Sequence, residues 1–193
     1  MLGDQIIQFF DGFGAAGMLL ALFVIFIIDS MLFPMVPELF LLIMYAANPS
    51  PWWGVLLIAV ALLAIGTGNT LLYITVKKLG VPPFIEKIMK KYSALLIARD
   101  ETMLLINRIA PVLPYTGAFI AINEWRYDKS MTYILLGGCA KFSVLVMLSG
   151  MFYSWFERGT AQNATFILIL LTLALGVVLA YVRKRKMDGE GIE

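Results

Sequence analysis

Five polar side chains stand inside stretches that are otherwise apolar: Asp29, Glu38, Asn69, Arg108 and Lys141. In a bilayer such groups are costly, and they face a cavity or a partner. Arg108 carries a planar guanidinium that offers a phosphate two parallel hydrogen bonds. Lys141 adds a second positive charge. Pro111 and Pro114 follow Arg108 closely, and a helix broken there presents unpaired backbone N–H groups to the same anion. Asn69, flanked by Gly68 and close to Tyr73, supplies a neutral donor and acceptor. Glu38 and Asp29 are carboxylates in a low-dielectric setting, groups suited to exchanging a proton. Arg108, Lys141, Asn69, Pro111 and Pro114 are therefore the expected substrate-binding residues, and Glu38 and Asp29 the proton-coupling ones. Two cations with two protonatable carboxylates suit an anion carrier coupled to protons.

Each residue has a plainer role open to it. Asp29 can reach the outer interface from the end of its helix. Glu38 can meet the positive end of a half-helix that begins after Pro37. Arg108 can lie at the cytoplasmic interface with its stem in lipid. Lys141 can be the structural partner that neutralises Asp29 or Glu38. Asn69 can be a helix–helix hydrogen bond and nothing more.

Other chemistry is poorly supplied. The chain has no histidine and one cysteine, Cys139, which leaves no disulfide, no Cys pair for a metal and no usual general base. Cys139 sits among Gly137, Gly138 and Ala140, where a small residue lets helices approach. No nucleophile–base pair and no paired aspartates in spanning helices stand out. The expectation is a protein that is not an enzyme, with no cofactor, no metal and no nucleic-acid partner.

The elements that must position these residues are helices in a membrane. Of 193 residues 61% are hydrophobic and 15% charged, against roughly 25% charged in a soluble domain. Four apolar runs are long enough to cross a bilayer core: Gly14–Phe33, Gly54–Val76, Ser130–Phe156 and Asn163–Val182. The first run starts late, lacks a basic flank and ends in Asp29 and Pro34, so it reads as a retained helix and not a cleaved signal peptide.

Charge placement sets the orientation. Twelve of the 15 basic residues fall in three clusters: Lys77 to Arg99, Arg126 with Lys129, and Arg183 to Lys186. The positive-inside rule puts all three in the cytoplasm. Met103–Ile122 then starts and ends on the cytoplasmic side and must enter and return, with Pro111, Pro114 and Gly117 at the reversal. The stretch Pro34–Asn48, headed by Pro34, Pro37 and Glu38, is short for a span and is read as a second hairpin from the opposite face. Both termini come out cytoplasmic. Phe84, Ile85, Ile88, Met89, Tyr92, Leu95 and Leu96 recur at helical spacing opposite Glu86, Lys87, Lys90 and Lys91, which predicts an amphipathic helix at the cytoplasmic interface or against the bundle.

A weak internal echo runs through the chain. Pro34-Met35-Val36-Pro37 opens one broken segment and Pro111-Val112-Leu113-Pro114 breaks the other. Each precedes a long helix with a small-residue cluster beside a polar side chain: Gly66-Thr67-Gly68-Asn69 and Gly137-Gly138-Cys139-Ala140-Lys141. That is the layout of an inverted repeat whose broken segments meet near the midplane. The expected fold is an all-α integral membrane protein. It has four transmembrane helices plus two facing re-entrant helical hairpins in an inverted repeat, with an interfacial amphipathic helix. One membrane domain covers residues 1–193, with a core at about 34–157, a C-terminal transmembrane helix at 163–182 and a basic cytoplasmic tail at 183–193.

From about Pro34 to Trp155 the chain resembles the DedA family, also called the VTT or SNARE-associated Golgi protein superfamily. Pro34-Met35-Val36-Pro37-Glu38 matches its hairpin opening. Gly68-Asn69 through Tyr73, then Lys77-Lys78 and Gly80, is similar to its next motif. Arg108 to Pro111 matches the first half of its second hairpin motif, Trp125-Arg126-Tyr127 looks like its short basic turn, and Gly137-Gly138 through Gly150 corresponds to its glycine-rich helix. Asn69 stands where the family has an acidic residue, and Leu113 and Pro114 stand where it has a second arginine. Lys141 following Gly138 is similar to the shorter YqaA-like branch. The resemblance implies two facing re-entrant hairpins in a plasma (inner) membrane protein. It also implies transport of polyprenyl phosphate or other phospholipids, with proton coupling in some members.

The expected function is a flippase or scramblase for phosphate-bearing lipids such as polyprenyl phosphate. A small proton-driven multidrug exporter is one alternative; it would use Glu38 and Asp29 and has no need of Arg108 and Lys141. A membrane structural or assembly protein is another. The expected partners are a lipid-phosphate substrate and membrane lipids, with a homo-oligomer open.

Overall fold

The computed structural model describes residues 12, 14–31, 36–83, 85–86, 100–109, 113–155, 167 and 171. Pro34, Pro111, the side chain of Arg108, most of the amphipathic stretch, the run Asn163–Val182 and the basic tail lie outside the described residues. Among those described, all regular structure is helical. The six helices are α1 (Gly14–Met31), α2 (Pro37–Ala47), α3 (Pro51–Leu79), α4 (Met103–Ile109), α5 (Thr116–Ile122) and α6 (Tyr127–Trp155). Three of them, α1, α3 and α6, are long and apolar enough to cross a membrane.

Helix α3 is the spine. Its start follows from local chemistry: Pro51 takes a first-turn position, where its missing N–H costs nothing, and the Ser50 side chain accepts from the Trp53 amide at 3.4 Å. Its end is marked by Lys77 and Lys78 in the last turn, which suit the negative end of the helix dipole. Gly80 then takes φ 82° and donates its N–H to Val76 O at 3.0 Å, a conformation open to glycine and strained for other residues. The 29 residues of α3 make a rod of about 43 Å at 1.5 Å per residue. One stripe (Leu57, Ala61, Ala64, Ile65, Gly68, Asn69, Leu72, Val76) is buried. The opposite stripe keeps Val55, Leu63, Leu71 and Ile74 exposed, as a lipid-facing surface would.

Helix α1 lies along α3 and buries Met18, Leu22, Phe26 and Ser30 at four-residue spacing. Gly68 permits the approach, because a Cβ there would stand 2.7 Å from Ser30 Cβ. Phe26 meets Phe142 of α6 edge to face, with centroids 5.5 Å apart. Helix α2 is buried on every side from Leu41 to Ala46, the signature of a helix enclosed by others. The Trp53 indole donates to Met44 O at 2.9 Å and fastens the tight turn from α2 to α3.

The stretch predicted to enter and return consists of two seven-residue helices, α4 and α5. The chain comes back to where it left: Glu101, just before α4, accepts the backbone N–H of Arg126, just after α5, at 3.0 Å. Gly117 was expected at the reversal and is instead in the first turn of α5. The turn is completed by Tyr115, at φ 56° and ψ 49°, a left-handed conformation uncommon for a bulky residue. Of the amphipathic stretch, Ile85 is buried and Glu86 exposed, on the sides the periodicity assigns them.

Candidate functional site

Two polar junctions sit inside the apolar bundle, and each ties a short helix to a long one. The first joins α2 to α6. Glu38, in the first turn of α2, accepts from Lys141 Nζ at 2.6 Å. The two residues are 103 positions apart, and their side chains are 16% and 26% exposed. Protein therefore covers most of the pair but does not seal it. Of the roles open to Lys141, partner of Glu38 is the one the structure shows. Desolvating two charges costs several kcal/mol per ion, and only a short, well-made contact offsets it. Removal of either partner leaves the other charge stranded.

The second junction joins α5 to α3. Thr116 Oγ1 donates to Asn69 Oδ1, and Asn69 Nδ2 donates to Ile65 O at 2.9 Å. Asn69 is 2% exposed. Gly117 lies directly on the α3 backbone, for a Cβ there would fall 2.4 Å from Asn69 O. The sequence offers Asn69 as a helix–helix hydrogen bond, and the structure gives it that bond. Here the tie is neutral, dry and set by shape.

A third feature was not singled out in the sequence. Asn107, the fifth residue of α4, spans the break with its carboxamide: Nδ2 donates to Leu113 O at 3.1 Å and Oδ1 accepts from Leu113 N at 2.7 Å. The side chain thus pairs with both backbone polar groups of Leu113, which lies between Pro111 and Pro114, where helical partners are missing. The available signal was an asparagine four residues before Pro111, in an apolar run with no solvent to satisfy it. Pro114 is half-buried next to this clamp.

The base of the α4–α5 hairpin is held by Glu101, also unremarked in the sequence. Its carboxylate receives the Arg126 N–H at 3.0 Å and Lys129 Nζ at 3.5 Å. The Arg126 amide, then its own amide and Lys129, hold the Glu101 carboxyl below the usual carboxylate range. Beside it, Asp100 receives the Thr102 hydroxyl and amide, chiefly the hydroxyl holding its carboxyl below that range too.

The levels of the two junctions follow from helical register. Along α3, Gly54 faces Tyr45 of α2 and Val146 of α6, while Gly138 of α6 faces Leu62. Stepping along these antiparallel pairs puts Glu38 and Lys141 level with about residue 60 of α3. Asn69 is about nine residues further, so the junctions are roughly 13 Å apart along the axis, on either side of the helix midpoint. The expected grouping of Lys141 with Asn69 is therefore two contacts at two depths. Asp29 is half-buried on α1, next to Ser30 and its contact with Gly68, and so lies on the Asn69 side of the bundle. Arg108 belongs to α4.

At the Lys77 end, a further polar chain links α3 and α6. Lys77 Nζ donates to Tyr73 OH at 2.9 Å, the Tyr73 and Tyr127 rings meet at a 40° tilt with centroids 4.9 Å apart, and Tyr127 OH pairs with Thr70 Oγ1 at 2.6 Å. No protein-family model, curated protein or solved structure matches this chain.

Proposed function

We propose that this chain is a membrane transporter for phosphate-bearing lipids, working as a flippase or scramblase. The observation that carries the reading is the Lys141–Glu38 ion pair, held at 2.6 Å between two helices of an apolar bundle. Packing alone does not call for it, since a well-packed apolar pair is often at least as stable. Ionisable groups at such depth belong with substrate or ion paths. The folded-back α4–α5 segment and the buried short helix α2 supply the second support: broken helices inside a membrane occur where they line a cavity or are buried in protein. The resemblance to the DedA family, on Pro37-Glu38, Gly68-Asn69 and Arg108, points the same way.

In this reading α2 and the α4–α5 hairpin enter the bilayer from opposite faces, and the Asn163–Val182 run completes a fourth span. Arg108 is the main phosphate ligand, chosen for its fork of donors, with Lys141 adding charge. The multidrug-exporter reading has no role for these two cations. The test is lipid movement across liposomes holding the purified protein, with polyprenyl phosphate and phosphatidic acid as probes. Wild type should speed transfer, and Arg108→Lys should slow it about tenfold through loss of one charge-assisted hydrogen bond. Full activity in Arg108→Lys, or an inactive Glu38→Gln with cationic dyes as the transported species, would overturn the proposal.

A further inference from the structure

We infer that Lys141 and Glu38 form an exchange pair: an arriving phosphate replaces Glu38 on the Lys141 ammonium, and the released carboxylate takes up one proton. The inference rests on the lipid-phosphate reading above and adds the rule that would couple lipid to protons.

The observations behind it are geometric. The pair is short, at 2.6 Å, yet neither side chain is sealed, with 26% of Lys141 and 16% of Glu38 exposed. The Asn69 tie, by contrast, is closed at 2% exposure. The ion pair is thus dry enough to make charge balance matter and open enough for a ligand oxygen to reach. Lys141 is also the one cation among the described residues that stands mid-way along a spanning helix; Lys77, Lys78 and Lys129 are near helix ends. The positive end of the α2 dipole points at the same place.

The step balances. The hydrogen bond from Lys141 Nζ to Glu38 Oε1 breaks, and one from Nζ to a phosphate oxygen forms. A buffer acid in solution gives up one proton and is left as its conjugate base, and that proton forms an O–H bond on Glu38. No electrons are transferred. The site holds one positive and one negative charge before the step. With a singly charged phosphate group as the ligand, it afterwards holds the same ammonium, one negative charge on the phosphate and a neutral carboxylic acid. A bare carboxylate in that setting is far costlier than a protonated one, which makes proton uptake the lower path.

The groups that could compete are few. Helix α2 packs on α1, α3 and α6. Helix α1 brings Asp29. Helix α3 brings no titratable side chain before Tyr73 and Lys77. Helix α6 brings Lys141 with Cys139 and Tyr133, Tyr127, Asp128 and Lys129 at its first turn, and Tyr153 near its last residue. Tyr45 is on α2 itself, with its hydroxyl at Gly150. Asp29 is the only other carboxylate on these helices able to take the proton from near the bundle interior.

The test is calorimetric titration of the full chain in detergent with dihexanoyl phosphatidylglycerol, whose phosphodiester keeps one charge near neutral pH. Two buffers of different ionisation enthalpy give the protons taken up per lipid bound. Wild type and Asp29→Asn should each take up about one proton, following the charge balance above. Glu38→Gln should bind at least as tightly, having no carboxylate to compete, with no uptake. The double variant Glu38→Gln, Lys141→Gln keeps a neutral hydrogen-bonded pair and so a folded protein, and should bind roughly tenfold more weakly. Sulfate should bind far more weakly than the lipid; equal binding would overturn the lipid assignment. Wild-type binding without uptake, or uptake that survives in Glu38→Gln, would overturn the exchange and leave the phosphate reading standing. No binding of the lipid by wild type would overturn both.

Discussion

Both halves of the described bundle set a short helix before a 29-residue one, α2 before α3 and α5 before α6. Each short helix is tied to the long helix of the other half: α2 to α6 through Glu38 and Lys141, α5 to α3 through Thr116, Gly117 and Asn69. The chemistry of the two ties differs. One is an ion pair that protein covers only in part. The other is a buried neutral hydrogen bond backed by contact of a glycine with backbone. An ion pair can be opened by a competing charge, whereas a shape-fitted contact yields only when the helices move. The two halves therefore divide the labour into an electrostatic joint and a steric one, and this division is what substitutions should expose.

The largest effect should come from stranding a charge. Lys141→Met leaves Glu38 without its ammonium and should cost about 3 kcal/mol, read as a shift in unfolding by dodecyl sulfate followed by circular dichroism. Glu38→Leu combined with Lys141→Met should recover most of that loss. A single variant as stable as wild type would mean the pair is solvated like a surface contact. Next, Asn107→Ala removes both bonds to Leu113 and should cost about 2 kcal/mol, because two buried backbone groups lose their partners. Hydrogen exchange at the Leu113 amide should speed up accordingly, and unchanged exchange would remove Asn107 from the account of the turn.

The steric joint is sharpened by two glycines treated alike. Gly117→Ala places a methyl 2.4 Å from Asn69 O and must push α5 off α3, at about 1–3 kcal/mol. Gly66, one turn before, has nothing nearer than 3.8 Å, so Gly66→Ala should be neutral or gain up to about 1 kcal/mol of helix propensity. Equal effects of the two would show that no close approach exists at Gly117. The smallest effect is at the hairpin base. Glu101 has its carboxyl lowered in the fold, chiefly by the Arg126 amide. Its contribution is therefore complete above the ordinary carboxylate value of about 4.3 and is lost only as pH falls through its own lower one. Protection of the Arg126 amide should persist through that value and vanish below it; loss of protection near neutral pH would contradict the assignment.

Much of this was legible in the chain because a bilayer imposes simple rules. Apolar length marked the three long helices, and α3 runs three residues past the expected Gly54–Val76 at each end, where Ser50 with Pro51 and Lys78 with Gly80 supply the caps. Clustered lysines and arginines imply that Met103–Ile122 re-enters on one face; the structure shows two seven-residue helices there, with Glu101 before them bonded to Arg126 after them. Lys141 was legible as a partner because a charge so deep needs one, although Asp29 and Glu38 were equally eligible by sequence. Which one it meets depends on how α2 docks on α6, a contact across 103 residues that no local pattern encodes. Asn107 is hidden in the sequence for a different reason. Amide clamps have no spacing rule, and the flanking Arg108 and Pro111 carry the more obvious chemistry. Gly117 was read as a turn residue by type, whereas its place is set by what stands opposite, the backbone of Asn69.

In the proposed transporter the two short-helix segments reach the bilayer interior from opposite faces. Site-directed labelling tests it directly. In a Cys139→Ser background, single cysteines at Asn48, Thr102 and Glu124 are probed in oriented vesicles with a membrane-impermeant maleimide. Thr102→Cys and Glu124→Cys should react from the cytoplasmic face alone and Asn48→Cys from the opposite face alone. Reaction of Thr102→Cys and Glu124→Cys from opposite faces would contradict it.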